Sequence, residues 1–313
     1  MTLTIRYVAR SDVGLVREGN EDSGYAGPRL LAVADGMGGH AAGEVASSAT
    51  IDEIVKVESS RNESRPLDAL GRAVRAANDR IRQLVADDPG RSGMGTTLTA
   101  LLWTGAEFQV AHIGDSRAYL LRDNELQQIT HDHTFVQSLV DDGRISQDEA
   151  GVHPARSLIL KALDGGNEPE LDLHVFEARA GDRVMVCSDG LSGVVSDETL
   201  RDTLSGHPEL IEAADALLEL ALRGGGPDNI TVVVADIIET ERPPSDDDTV
   251  EVYLVGAAAG EEAPPRKPSR RRRMATRNPR QTDRVEDIDP EALRYAPLLR
   301  AFLANYRPVM AWK

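Results

Sequence analysis

The chain has 313 residues, 41% of them hydrophobic, one cysteine and a formal net charge of −17. A single cysteine excludes an internal disulfide, and so acidic a chain is a poor non-specific binder of nucleic acid. No apolar run is long enough to span a bilayer, and the opening MTLTIRYVAR lacks the apolar core of a signal peptide, so a cytoplasmic protein is expected.

Leu30 to Ala34 read as a buried strand that stops at Asp35 and runs into Gly36, Gly38 and Gly39. A helix is expected after His40. Leu70, Val74, Ala77, Ile81 and Leu84 step by four and three, which places one helical face over residues 66–87. FQVAHIG and AYLLR predict strands on either side of Gly114-Asp115-Ser116, and DRVMVCSDG and NITVVVADII predict two more. A further helix is predicted over residues 208–223, ending at GGG. Strands come in neighbouring pairs and helices do not alternate regularly with them. That favours sheets covered by helices over a doubly wound parallel fold. Residues 1–238 therefore read as the folded domain. Residues 239–285 carry proline, charge and few large apolar side chains, and read as a disordered linker. Its basic run, Arg270 to Arg273, reads as a solvated stretch, with contact to an acidic partner or a lipid surface as the alternative. Residues 286–313 are apolar again, with Leu298, Leu299, Phe302, Leu303 and Tyr306 on one helical face. Docking of this segment on the main domain and binding of a separate protein partner both stay open.

The strand ends share a feature. Asp35-Gly36, Asp115 in IGDSR, Asp189-Gly190 in CSDG and Asp228-Asn229 in GGPDNIT each put a carboxylate at a strand end, and REGNEDSG adds Glu21 and Asp22. One such aspartate is ordinarily a turn former or cap. Gathered in one cleft, they would repel one another and require cations. Carboxylates, a backbone carbonyl and water are hard oxygen ligands, which suit Mg²⁺ or Mn²⁺. Zinc would want paired histidines or cysteines, and Cys187 stands alone. Two such ions can share a water and drive in-line attack on phosphorus. Arg17, just before Asn20-Glu21-Asp22, is suited either to grip phosphate oxygens or to form a surface salt bridge.

Other readings compete. Gly36-Met37-Gly38-Gly39-His40-Ala41 fits the G-x-G-x-x-A turn of a dinucleotide-binding unit, with Glu58 as its acidic residue. Asp35 would then abut the pyrophosphate, and the βαβ rhythm is missing. No G-K-[ST] follows the glycines, so a P-loop is excluded. Cys187 lacks the downstream arginine that a tyrosine-phosphatase nucleophile needs, since Gly193 stands there, and reads as a buried strand residue.

Seven stretches occur in order: SDVGLVREGNED, VADGMGGH, GMGTTLTA, HIGDSRAYLLR, THDHTF, CSDGL and GGPDNITVVV. Together, over residues 4–238, they resemble the bacterial branch of the metal-dependent Ser/Thr protein phosphatases (PPM, type 2C). The likeness is greatest to actinobacterial members that oppose membrane-bound Ser/Thr kinases. The resemblance implies an α+β fold: two antiparallel sheets packed face to face with helices on both outer faces. It implies a binuclear Mn²⁺ or Mg²⁺ centre, hydrolysis of phosphoserine and phosphothreonine by direct water attack, and phosphorylated proteins, Ser/Thr kinases among them, as partners.

By the same resemblance, Asp35 should bridge both ions and the Gly36 carbonyl should bind one, with Asp189 and Asp228 completing the first site. Glu21 should hold the second ion's waters and Asp22 should support that shell. Asp115, with Asp189, resembles a weaker third position. Arg17 should bind substrate phosphate, and Asn229 should orient Asp228 or a water. Ser116 and Arg117 should be structural. Three departures stand out. Met37 occupies the place of the animal enzymes' histidine, which leaves a water as the expected proton donor. Asp164 in KALDG replaces a glycine beside the flap expected over 134–165, where it could shift the flap or add a ligand. The linker leads to a short arginine-bearing segment rather than a membrane span, as expected of a free cytoplasmic form.

Overall fold

Apolar strands here are buried on both sides, which is why they read as near-continuous runs instead of alternating patterns. In the computed structural model, which describes residues 2–38, 42–59, 64–241 and 251–260, one sheet has five strands in the order β1 (Thr2–Asp12), β11 (Ile230–Thr240), β10 (Arg183–Cys187), β7 (Arg117–Arg122) and β8 (Glu125–Gln128). The second has seven: β12 (Tyr253–Gly256), β2 (Asp22–Ala26), β3 (Leu30–Met37), β5 (Leu98–Trp103), β6 (Glu107–Ile113) and β9 (Asp172–Glu177) in that order, with short β4 (Gly95–Thr96) on β3. Every pairing is antiparallel.

Alternate residues of each strand feed different cores. Leu31 and Val33 of β3, Val184 and Val186 of β10, and Val233, Ala235 and Ile237 of β11 meet between the sheets. Leu30, Ala32 and Ala34 turn outward onto α1 (Gly43–Val55) and α2 (Pro66–Asp87), whose Ile51, Ile54, Leu70 and Ile81 are fully buried there. Burying each such side chain is worth about 1.5–3 kcal/mol. On the other face Met185, Cys187, Val232 and Val234 meet α6 (Asp197–Gly206) and α7 (Leu210–Arg223) through Leu200, Leu204, Ala214 and Leu217. The result is the layered α+β sandwich, helices outside and sheets within.

The helix over 66–87 has the bounds its periodicity predicted, and α7 ends at Gly224 as the GGG run implied. Cys187 is buried, and burial pushes its thiol pKa up to about 12, which suits an inert strand residue. The dinucleotide alternative fails on topology. β3 has only antiparallel neighbours, and Glu58 accepts hydrogen bonds from the Tyr25 hydroxyl and the Arg29 amide.

One boundary needs correction. Residues 253–256 lie inside the stretch expected to be linker, yet they form β12 along β2. Tyr253 and Val255 pack against the inter-sheet core, so the folded part extends past residue 238. So short an edge strand beside charged residues carries little hydrophobic signal. His40, residues 242–250 and 261–285 of the expected linker (Arg270 to Arg273 among them) and the segment 286–313 lie outside the described residues. Among the described residues no helix is long and apolar enough to cross a membrane.

Behind the second sheet's end lies a buried histidine. His112 on β6 bonds through Nδ1 to the Thr99 hydroxyl (2.9 Å) and through Nε2 to the His131 carbonyl (2.9 Å). Burial first, then the His133 ring 4.9 Å away, lower its pKa to about 4, against the bond to the His131 carbonyl and the charges of Asp132 and Asp172. The folded state thus excludes a proton that the unfolded chain takes up below its normal pKa of about 6.5. Stability should therefore fall by about 2 kcal/mol from this group alone as pH drops from 7 to 5. We expect thermal melts of His112→Asn to show a shallower loss of melting temperature over that interval than the parent. An equal slope in both would contradict this assignment.

Candidate metal centre

Strand register brings the acidic residues together. Asp22, opening β2, lies directly opposite Asp35, near the end of β3. The Asp35 backbone is fixed by two threonines: its amide donates to Thr97 Oγ1 (3.1 Å) and its carbonyl accepts from Thr96 Oγ1 (2.9 Å). The Gly36 amide donates to the Glu21 carbonyl (3.1 Å). A Cβ at Gly36 would sit 2.3 Å from the Gly43 carbonyl oxygen and 2.4 Å from that of Glu21, so only glycine lets α1 start against this strand. Asp189 opens the one-turn helix α5 (Asp189–Ser192) directly after β10. At Gly190 a Cβ would lie 1.9 Å from the Asn229 carbonyl oxygen, which ties the end of β10 to the start of β11 and sets Asp228 beside Asp189. Asp115 follows β6 and is buried.

The electrostatics are those of crowded carboxylates. Burial, then repulsion from Asp22, Asp189, Asp115 and Asp228, holds the Asp35 carboxyl well above its ordinary pKa. Asp35 still keeps a partly exposed side at the cleft mouth, as do Asp189 and Asp228. Asp22 is pushed up to about 7, chiefly by burial, although Ser188 Oγ donates to it (2.7 Å) and the Thr231 hydroxyl assists. Asp189 is raised to about 6 by burial and by Asp228, against a hydrogen bond with Asp35. Asp115 is raised by burial and by Asp189, and its Oδ1 is buried without a hydrogen-bond partner. Glu21 is raised, mainly by burial.

A second unit completes the cleft. The loop between β1 and β2 carries Arg17, whose guanidinium donates to Asp228 Oδ2 at 2.7 Å. Asn229 staples this loop: its Oδ1 accepts from the Glu21 amide (2.8 Å), and its Nδ2 donates to the carbonyls of Val13 (3.0 Å) and Gly19 (2.9 Å). The Asn229 amide donates to Asp228 Oδ1 (2.9 Å), so its backbone orients Asp228 while its side chain holds the loop. The sequence indicated the first task and missed the second. It also missed Ser188, the buried donor to Asp22.

Over the cleft lie α3 (Phe135–Asp141) and α4 (Gln147–Gly151), in the stretch expected to form the flap. A cavity of about 210 Å³ runs between them and the core, lined by Asp115, Asp189, Asp132, Gln137 and Arg156 among others. A larger groove of about 540 Å³ beside Arg183 and Asp236 holds none of the clustered carboxylates. Arg117 forks onto Asp132 (2.7–3.0 Å) and Ser116 Oγ bonds Thr97 Oγ1 (2.7 Å), both structural contacts. Asp164 spends its carboxylate locally, accepting from the Gly166 amide (2.7 Å) in a turn, and adds no ligand here. Met37 pairs with Gly95 at the strand end and offers no proton.

These residues fit hard divalent cations. Every donor is an oxygen, and the orphaned Asp115 oxygen is the group a cation would satisfy. Among the described residues no three acidic, histidine or cysteine side chains already converge as a finished cage. Within the cluster Arg17 donates to Asp228 and Ser188 donates to Asp22.

Comparison with known proteins bears on this arrangement. Residues 10–163 match the family model for Protein phosphatase 2C. The Serine/threonine protein phosphatase PstP of Mycobacterium tuberculosis is 59% identical over 239 residues, covering 76% of this chain and 46% of that protein. The chain thus spans about half the length of that relative. The Serine/threonine phosphatase stp of Listeria welshimeri is 34% identical over 236 residues, which cover 72% of this chain and 94% of that one. Among solved structures, the catalytic domain of PstP in complex with two manganese ions superposes with a TM-score of 0.72 at 57% identity, over 76% of this chain and all of that one. Stp1 of Staphylococcus aureus gives 0.71 at 32%, over 75% of this chain and 96% of that one.

Proposed function

The chain belongs to the protein phosphatase 2C family, and we propose from that premise that it is a metal-dependent phosphatase of phosphoserine and phosphothreonine in proteins. The observation that carries the proposal is the set of strand-end carboxylates, Asp22, Asp35, Asp189 and Asp228, raised in pKa or paired with a cation at one end of the sandwich. Two Mn²⁺ or Mg²⁺ ions bound there supply Lewis acidity and a water acidic enough to attack phosphorus.

The chain's own groups do the rest. Asp35, the Gly36 carbonyl, Asp189 and Asp228 would hold the ions, Glu21 and Asp22 would support the water around them, and Asp115 with Asp189 would offer a weaker third position. Arg17 turns from Asp228 to the substrate phosphate, where its planar fork matches two phosphate oxygens. With methionine at position 37, the leaving serine or threonine takes its proton from water. Phosphorylated proteins are the substrates, with Ser/Thr kinases as the opposing partners and the cytoplasm as the setting. The tail beyond the compact unit is a candidate for contact with a protein partner.

The test is phosphate release from a phosphothreonine peptide after chelation, then after Mn²⁺ or Mg²⁺ is restored, with Asp189→Asn alongside. Release that returns with metal and is absent in the variant is the expected result. A folded protein that binds the phosphopeptide but releases no phosphate with either ion would instead be a recognition module.

A further inference from the structure

The loop that carries Arg17 is rigid, yet it presents apolar side chains to water. The Leu15 amide donates to the Gly226 carbonyl (2.8 Å) and the Gly14 amide to Asp12 Oδ1 (2.8 Å). Gly14 packs so closely on residue 228 that a Cβ there would lie 2.1 Å from the Asp228 carbonyl oxygen. Asn229 holds the loop's two ends through Val13 and Glu21. On this fixed backbone Leu15 is 58% and Val16 66% exposed, side by side and immediately before Arg17. Single exposed aliphatics are ordinary; two that adjoin in sequence directly before the arginine proposed to bind phosphate offer the substrate chain an apolar contact.

Chain geometry makes the placement specific. Successive Cα atoms are about 3.8 Å apart, so Val16 and Leu15 start within about 4 and 7 Å of the Arg17 Cα. An extended peptide advances about 3.3 Å per residue. Leu15 and Val16 are therefore exposed apolar side chains within one or two residues, along the chain, of the arginine assigned to the phosphate. Because the loop is already fixed, contact there costs little ordering entropy, and apolar area removed from water converts to affinity.

We propose that Leu15 and Val16 form an apolar lip that selects phosphopeptides carrying an aliphatic residue within two positions of the phosphoresidue. The inference rests on the phosphatase reading above and names a preference within its substrate class. It is tested with the full chain in Mn²⁺ and two phosphothreonine peptides, identical except that the residues flanking the phosphothreonine are leucine in one and serine in the other. The expected kcat/KM ratio favours the leucine peptide about fivefold. In a Leu15→Ser, Val16→Ser double variant it should fall to within about twofold of unity. The ratio does not depend on how much of the variant is folded, since both peptides meet the same active population. A parental ratio near unity, or a preference that survives the double substitution, overturns the lip. Release of phosphate from neither peptide by the parent protein removes the phosphatase reading itself, and the lip with it.

Discussion

Replacing Asp35 with asparagine should make the chelator-treated protein melt about 2–8 °C higher, while lowering metal-dependent phosphate release by about a thousandfold. Both effects come from one feature. The carboxyl of Asp35 is held well above its ordinary pKa by burial and by four neighbouring aspartates. Whether it meets neutral pH charged or protonated, the fold works against a group that ionises freely in the unfolded chain. Asparagine keeps the shape, and the hydrogen bonds to Thr96 and Thr97 involve only the backbone of residue 35. Relief of about 1–2 kcal/mol is reasonable for such a site. The same change removes the carboxylate opposite Asp22 that is proposed to hold the metal.

Paired melts with and without Mn²⁺ check both halves. In the parent, saturation at about a hundred times Kd should add roughly 2.7 kcal/mol, and in the variant that increment should largely vanish. A variant that melts lower than the chelated parent would mean that the Asp35 charge serves the fold. A variant still stabilised by Mn²⁺ to the parental degree would move the metal away from this residue.

The fold and the site were legible to different depths, for physical reasons. Central strands such as β10 and β11 bury both faces, so their valine and isoleucine runs stand out in the sequence. Edge strands do not. β8 reads ELQQ, β9 alternates exposed and half-buried residues, and β12 sits beside charge and proline. β9 and β12 are held by β6 and β2, partners distant in sequence, which local pattern does not reveal, while β8 turns back on β7 in a tight hairpin but is too short and polar to stand out. The Asp-Gly breaks announced the site because a carboxylate at a strand end followed by glycine is a local feature. What the carboxylates lean on is not local. Ser188 reaches Asp22 across 166 positions, and Arg17 reaches Asp228 across 211. Asp164 shows the converse: an acidic residue beside the cleft, suggestive in sequence, spends its carboxylate on a turn.

Asn229 is the residue whose loss should reach furthest without touching a reacting atom. Its side chain is buried and makes three hydrogen bonds of 2.8–3.0 Å, to the Glu21 amide and to the carbonyls of Val13 and Gly19. Alanine leaves all three backbone groups without that partner, at about 1 kcal/mol each, so a loss of about 3 kcal/mol is expected. The functional consequence differs from that of changing Arg17 itself. Arg17→Ala removes one phosphate grip and should raise KM for a phosphopeptide with little change in Mn²⁺ affinity. Asn229→Ala loosens the whole segment from Val13 to Glu21, and should weaken Mn²⁺ binding and raise KM together. Asn229→Asp sharpens the comparison: it cannot donate to Val13 or Gly19, and it adds a carboxylate to a cluster already repelling itself. Calorimetric Mn²⁺ titrations beside steady-state kinetics on the three variants separate the roles. If Asn229→Ala shifted KM alone, as Arg17→Ala should, the loop would be positioning only its arginine, and Glu21 would have to be held by contacts other than the Asn229 staple.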